Sequence, residues 1–396
     1  MSTSETASDT IRVAVVALSA KTYGADAFYA GLLRGLERYG RSLEVVVVAR
    51  DRSYEKHGEL SRTRVVVPRC PGLSHAMLRI IWEQLFLPKL LKRLRVDLVY
   101  TGNNVAIFRS PVPCVISVQN MEPLVPVRPG TPAVLALRLV MLRWLTFLSL
   151  RVACRIVAVS EYVKKELVSL NVAPTRIDVI GYGVDDVELS SDDAELGACG
   201  PYLAAAAKFV RYANLELLIR GYAHIRARGF TGPLVIAGGP HDVGYEKEIL
   251  SLAHSLKLDD HIQFLGYIPR SRLQALMRGC AVFLFTSVLE ACPFTLLEAL
   301  YQGAPVVATT APPMPEVCGE AAVLVPPTDW RAFGDAAFQI VSSPLLRSEL
   351  REGSRRRGLS FRWATVVEAL DKSFRIAVAE SMSGRGAGCP DMHTKR

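Results

Sequence analysis

Residues Leu289 to Thr310 read LEACPFTLLEALYQGAPVVATT, with two carboxylates, Glu290 and Glu298, on either side of a Cys-Pro. The preceding AVFLFTS has the apolar run of a buried strand, and Pro293 suits a first helical position, where a missing N–H costs nothing. Gly303 and Pro305 then close the helix. Glu290 is therefore expected on the loop at the strand's carboxyl end, and Glu298 about a turn and a half into the helix. N–H groups at a helix start, aided by its dipole, favour a phosphate. A carboxylate further along can accept two hydrogen bonds from vicinal hydroxyls such as those of a ribose. One on the loop can hold hydroxyls of a second sugar beyond the phosphates. Sugar, diphosphate and ribose in that order describe a nucleotide-sugar. From spacing alone, Glu298 could equally sit on an exposed helix face and Glu290 cap a turn.

Other chemistries find little support. The chain has no H-E-x-x-H, Walker A or G-x-S-x-G, and no Asp-x-Asp pair of the kind that holds Mg²⁺ or Mn²⁺. GADAF, at the first strand-to-helix turn, is not a dinucleotide-binding G-x-G-x-x-G. The eight cysteines form no C-x-x-C pair, which argues against structural zinc or a redox dithiol and suits a reducing compartment. His241, in GGPHDVG, follows a strand end but reads first as a solvated loop residue.

These residues need a scaffold. Continuously apolar runs alternate with longer helical patterns: 11–18, 43–49, 114–118, 154–159, 202–207, 234–238, 262–266, 281–286 and 305–309. Strands of this kind are buried on both faces, as in parallel sheets covered by helices. With 396 residues, too many for one ordinary core, the fold class is α/β with two Rossmann-like doubly wound parallel-sheet domains facing a cleft. The acidic stretch 185–200 is the expected boundary. This gives a first domain at 1–190, a second at 191–358, a C-terminal helix at 359–382, and a disordered tail at 383–396.

Several segments together resemble the retaining, nucleotide-sugar-dependent glycosyltransferases of the GT-B fold, in the large family 4 (the glycosyl transferases group 1 proteins). The two glutamates match that family's glutamate-x7-glutamate signature. VSEYVKKEL (159–167), IDVIGYGVDD (177–186), LVIAGGP and IQFLGYIPRSRLQALMRGCAVFLFTS follow its pattern, and FRWATVVEAL (361–370) resembles its last helix, which crosses back to the first domain. The resemblance spans most of residues 11–380. It implies that Glu298 binds the nucleotide ribose, that Glu290 contacts the donor sugar, and that backbone amides of Cys292, Pro293, Phe294, Thr295 and Leu296 frame the sugar and diphosphate. Many members read Glu-Gly-Phe-Gly where this chain has EACP.

The family usually supplies an arginine and a lysine, five residues apart, to the diphosphate. In AKFVRYAN (207–214), Lys208 stands at the arginine position and Ala213 at the lysine position, so one cation is kept and one is gone. Arg211 is near enough in sequence to substitute. In the first domain, Gly24 and Ala25 occupy the loop that approaches the phosphates. Gln119 and Asn120 replace the family's usual histidine on the acceptor side; neither is a base, though both can hold hydroxyls.

The expected activity is transfer of a hexosyl unit from a UDP- or GDP-linked donor to a saccharide or lipid-linked acceptor, in cell-surface polysaccharide or glycolipid assembly. Glu290 and Lys208 are the catalytic candidates, and no metal or other cofactor is expected. The net charge of +9 suits anionic partners. The helix expected at Glu83–Arg95, with leucines 85, 87, 90, 91 and 94 among Lys89, Lys92, Arg93 and Arg95, could touch a membrane surface or pack on the core. Residues 133–150 are the most apolar stretch and are expected as a buried helix, in preference to one lying on the surface or spanning a bilayer. No secretory signal or nucleic-acid partner is expected, which suggests a cytoplasmic protein, peripheral at most on the membrane's inner face. The rival reading is a non-catalytic nucleotide-sugar-binding or partner-transferase-binding member, motivated by Ala213; an epimerase or phosphorylase lacks recognisable catalytic groups.

Overall fold

A computed structural model describes residues 10–19, 23–54, 60–68, 75–127, 133–185 and 200–384. The chain divides into two compact units, residues 1–183 with 362–396, and residues 184–361. Most of the boundary stretch (186–199) and of the C-terminal tail (385–396) lies outside the described residues.

Among the described residues, the first unit holds seven parallel strands: β1 (Ile11–Val16), β2 (Leu43–Val48), β3 (Arg64–Val66), β4 (Leu98–Thr101), β5 (Cys114–Val118), β6 (Arg155–Ala158) and β7 (Ile177–Val179). Their order is β3-β2-β1-β4-β5-β6-β7, with Val13 of β1 in register with both Val45 and Leu98. The sheet starts in the middle, runs to one edge, returns and runs to the other. Helices α1 (Tyr23–Tyr39), α2 (Ala76–Leu85), α3 (Leu87–Leu94), α4 (Ala133–Val152) and α5 (Glu161–Ser169) connect the strands.

The second unit repeats this winding with six strands: β8 (Leu203–Ala206), β9 (Leu234–Ala237), β10 (Ile262–Gly266), β11 (Val282–Phe285), β12 (Val306–Thr309) and β13 (Ala322–Val325), in the order β10-β9-β8-β11-β12-β13. Helices α6 (Leu215–Ala227), α7 (Val243–Ser255), α8 (Arg270–Gly279), α9 (Phe294–Tyr301), α10 (Met314–Cys318), α11 (Trp330–Ser342) and α12 (Pro344–Gly358) complete it. All nine strands expected from sequence are present, and both units are Rossmann-like. In each, strand order reverses at one crevice, β1/β4 and β8/β11, and doubly wound folds bind ligands at such a reversal.

The last helix, α13 (Trp363–Met382), belongs to the first unit. Trp363 lies in a slot that Gly31 and Gly183 leave open; a Cβ on either would come within 2.6 or 2.4 Å of the indole. Further along, Asp178 of β7 accepts a bidentate pair from Arg155 (2.7 and 2.8 Å) and the Ser373 hydroxyl at 2.7 Å. α13 is thus fixed at its start and at its middle.

Two helix expectations need correction. The segment Glu83–Arg95 is not one helix. It breaks at Phe86, just before Pro88, whose ring lacks an N–H and clashes with the preceding turn. Leu87 and Leu91 face the core, while Lys89, Lys92, Arg93 and Arg95 are exposed. The second correction concerns α4, which is not buried: only Thr146, Ser149 and Leu150 are, and Leu137 and Trp144 stand 72% and 65% exposed.

Candidate active site

The second unit's crevice is built by two loops, Ala207–Asn214 after β8 and Thr286–Pro293 after β11. β8 and β11 are paired neighbours, so both loops leave the same sheet edge side by side. They are joined by hydrogen bonds: Val288 N–H donates to the Tyr212 carbonyl at 2.8 Å, and the Thr286 hydroxyl to that of Ala213 at 2.7 Å. From β12, the Thr309 hydroxyl donates to the Ser287 carbonyl at 2.7 Å. Glycine is required nearby at Gly238, which has a φ of +110° and where a Cβ would lie 2.0 Å from the Ala207 carbonyl oxygen. His241, on the same loop, is exposed.

Glu290 is part-buried on the β11 loop, and its Oε1 accepts the Ser287 hydroxyl at 2.8 Å. Burial pushes its carboxyl up to about 7, against the opposing pull of that hydroxyl and of the Lys208 ammonium. The fold therefore brings Lys208 and Glu290 together although 82 positions separate them. Arg211 is directed elsewhere: its guanidinium grips Glu248 of α7 at 2.6 and 3.0 Å and lies 5.4 Å from the centre of the Tyr245 ring. Ala213, 5% exposed, packs into the core of the unit.

α9 begins one residue later than the sequence suggests. Pro293 caps it, its carbonyl accepting the N–H groups of Leu296 (2.9 Å) and Leu297 (3.1 Å). Cys292, Phe294 and Thr295 are part-buried around this start, while Pro293 and Leu296 are buried. Glu298, the fifth residue of the helix, is 3% exposed, so it does not occupy a wet helix face. Its Oε1 accepts Arg270 Nε at 2.7 Å. Burial raises its pKa, opposed by Arg270 and Gln274 of α8 and reinforced by Asp185.

In the first unit, Gln119 and Asn120 follow β5. Both backbone N–H groups donate to the side-chain oxygen of buried Asn104, at 2.8 and 3.2 Å, and the Asn104 amide donates to the Asn120 carbonyl at 2.6 Å. Gly102, after β4, has no room for a Cβ, which would lie 2.7 Å from the Tyr29 hydroxyl and 3.1 Å from Gln119 Nε2. Gln119 and Tyr29 thus converge at this unit's β1/β4 reversal. Gly24 and Ala25 lie in the first turn of α1. Among the described residues, no group of three His, Cys, Asp or Glu is placed to hold a metal.

This chain matches two family models, one after the other: Glycosyltransferase Family 4 over residues 23–188 and Glycosyl transferases group 1 over residues 192–357. It is a member of the group 1 glycosyltransferase family. It is 30% identical over 246 residues to a D-inositol 3-phosphate glycosyltransferase of Saccharomonospora viridis, covering 57% of this chain and 56% of the relative. It is also 30% identical over 149 residues to an O-antigen chain mannosyltransferase B of Escherichia coli, covering 36% and 37%. The chain spans about half or less of the length of these curated relatives. In structure it resembles sucrose-phosphate synthase from Thermosynechococcus elongatus (TM-score 0.75, 17% identity, 93% and 99% coverage). It also resembles Anabaena Alr3699/HepE in complex with UDP and glucose (TM-score 0.70, 16% identity, 92% and 100% coverage). At such identities the likeness speaks to the fold, which is GT-B.

For this group 1 glycosyltransferase, sequence reasoning missed three residues that hold the site. Arg270 and Gln274 sit one turn apart on α8 and meet Glu298, and the Arg270 guanidinium also lies 5.5 Å from the centre of the Phe294 ring. Their i, i+4 spacing was visible, but nothing local named the carboxylate they face. Asn104 was the third. An asparagine two residues beyond a glycine after a strand is an ordinary loop signal, and only its positive φ of 62° and its burial show its bracing role.

Proposed function

We propose that the chain is a retaining hexosyltransferase that moves a sugar from a nucleotide diphosphate donor to an acceptor hydroxyl in polysaccharide or glycolipid assembly. The observation that carries this reading is the placement of Glu290 and Lys208 at the β8/β11 reversal, beside the start of α9. Lys208 and the α9 start meet the diphosphate, where a close cation contributes about 2–4 kcal/mol. Charge on the leaving diphosphate grows in the transition state, so that cation acts on rate as well as on affinity. Glu290 holds donor-sugar hydroxyls, and Glu298, steadied by Arg270, receives the ribose. In a front-face transfer the leaving phosphate takes the acceptor proton, so no protein nucleophile is needed. Gln119 and Asn120 offer neutral hydrogen-bonding groups to an acceptor. Eight cysteines without a C-x-x-C pair fit a reducing, cytoplasmic compartment.

The names of the relatives, an inositol-phosphate glycosyltransferase and an O-antigen mannosyltransferase, support a polyhydroxylated acceptor and a hexose donor. HepE was solved with UDP and glucose, which supports a UDP-linked donor. Calorimetric titration with UDP-, GDP- and dTDP-sugars, without added metal, tests the reading. One nucleotide class should bind, and Glu298→Ala should abolish that binding. No binding across the panel would overturn the proposal, and inverted anomeric configuration in the product would overturn the retaining step.

A further inference from the structure

Helix α4 poses a problem that the transferase site does not solve. Leu137, Val140, Trp144 and Leu148 recur at intervals of three and four, so they share one face, and all four are exposed. The opposite face is committed to the first unit through buried Thr146, Ser149 and Leu150, where Ser149 Oγ accepts the Ala106 N–H at 2.9 Å. A helix apolar on every side is normally enclosed by protein or lipid. Among the described residues, protein encloses only one side.

The surroundings of the open face are cationic. α4 contains three arginines and no acidic residue. Arg138 and Arg143 lie on the two flanks of the apolar stripe, Arg143 5.2 Å from the centre of the Phe147 ring, and Arg151 lies at its end. Beside the stripe runs a groove of about 590 Å³, in which Trp144, Phe147 and Leu170 meet Arg143, Arg151 and Arg176. Arg176 is anchored by donating to the carbonyls of Leu150 and Ala153. An apolar floor beneath a rim of arginines matches an amphiphile with an anionic head.

We infer that the outer face of α4 docks on an anionic lipid bilayer, with the arginine-rimmed groove receiving a lipid phosphate. The aromatic and aliphatic stripe enters the headgroup–acyl boundary while the arginines stay at phosphate level. α4 is long and apolar enough to cross a bilayer, but its packed inner face keeps it lying along the surface. This surface differs from the basic side of α3, whose apolar residues Leu87 and Leu91 already face the core.

The test is flotation of the full chain with vesicles of phosphatidylcholine alone or mixed with phosphatidylglycerol. Binding should require phosphatidylglycerol and weaken by at least about tenfold in Leu137→Asp/Trp144→Asp, both exposed positions. Arg143→Glu/Arg151→Glu should weaken it as well. Tryptophan quenching by brominated lipid, lost in Trp144→Phe, would place the face in the bilayer; Trp82 and Trp363 are buried and Trp330 is partly so. Three outcomes would overturn the inference. These are absence of binding to anionic vesicles, binding that survives the α4 changes but is lost on charge reversal of Lys89, Lys92, Arg93 and Arg95, and a dimer in solution that the α4 changes dissociate.

Discussion

Replacing Glu290 by glutamine removes a charge while keeping the outline of the side chain, and the amide oxygen can still accept the Ser287 hydroxyl. In the native protein, burial moves this carboxyl from 4.5 to about 7. Below pH 4.5 the group is protonated in both folded and unfolded chains and the shift has no effect on stability. As pH rises from there, the unfolded chain releases its proton while the folded one retains it, so stability falls until both are ionised above about pH 7. The upper bound on that loss is about 3 kcal/mol. Glu290 is only part-buried, and solvent screening brings the expected value to about 1–2 kcal/mol. Glu290→Gln escapes this penalty. It should therefore unfold about 2–6 °C above the wild type at pH 8, with the gap closing toward about pH 5. Thermal unfolding followed by circular dichroism across that range reads the difference directly. A gap that is constant with pH, or a wild type that is the more stable at pH 8, would refute the argument that burial holds the carboxyl up. Transfer activity should move the other way, because a group kept at a cost in stability is kept for the reaction.

Lys208→Ala should lower kcat/KM by about 30- to 1,000-fold, the equivalent of about 2–4 kcal/mol at the diphosphate, and kcat itself should fall; a change confined to KM would show that Lys208 binds the ground state only. Arg270→Leu leaves Glu298 buried without its cation and should cost about 3 kcal/mol of stability in denaturant unfolding, most of it restored by Glu298→Gln in the same chain. Additive losses in the double variant would mean that the two side chains are not coupled.

The strands that read clearly in the sequence are those buried on both faces, such as Val45–Val48 and Val306–Thr309, because only a covered parallel sheet tolerates so unbroken an apolar run. β3, β7 and β13 escaped the strand reading because they lie at sheet edges and are only partly buried, which breaks the apolar run; β4 was missed although it is buried throughout. The glutamate pair was legible as a motif. The environments that distinguish its members were not, since Ser287 and Arg270 act through tertiary contacts. The exposure of α4 was hidden for a related reason. Periodicity reports which sides of a helix are apolar, and a helix apolar all round gives the same signal whether protein or something else covers it.

The two units share one winding, but the reversal crevices are equipped differently. In the first unit, the loop after β5 presents Gln119 and Asn120, uncharged amides whose backbones are held by the side chain of buried Asn104. In the second, the loops after β8 and β11 present Lys208 and Glu290, with Arg270 and Glu298 behind them. A diphosphate needs a cation and a helix start, whereas a hydroxyl acceptor needs only neutral donors and acceptors. This contrast supports the proposed reading, in which the second unit takes the donor and the first the acceptor. Exchanging one crevice's loops for the other's would exchange a charged site for a neutral one on the same fold.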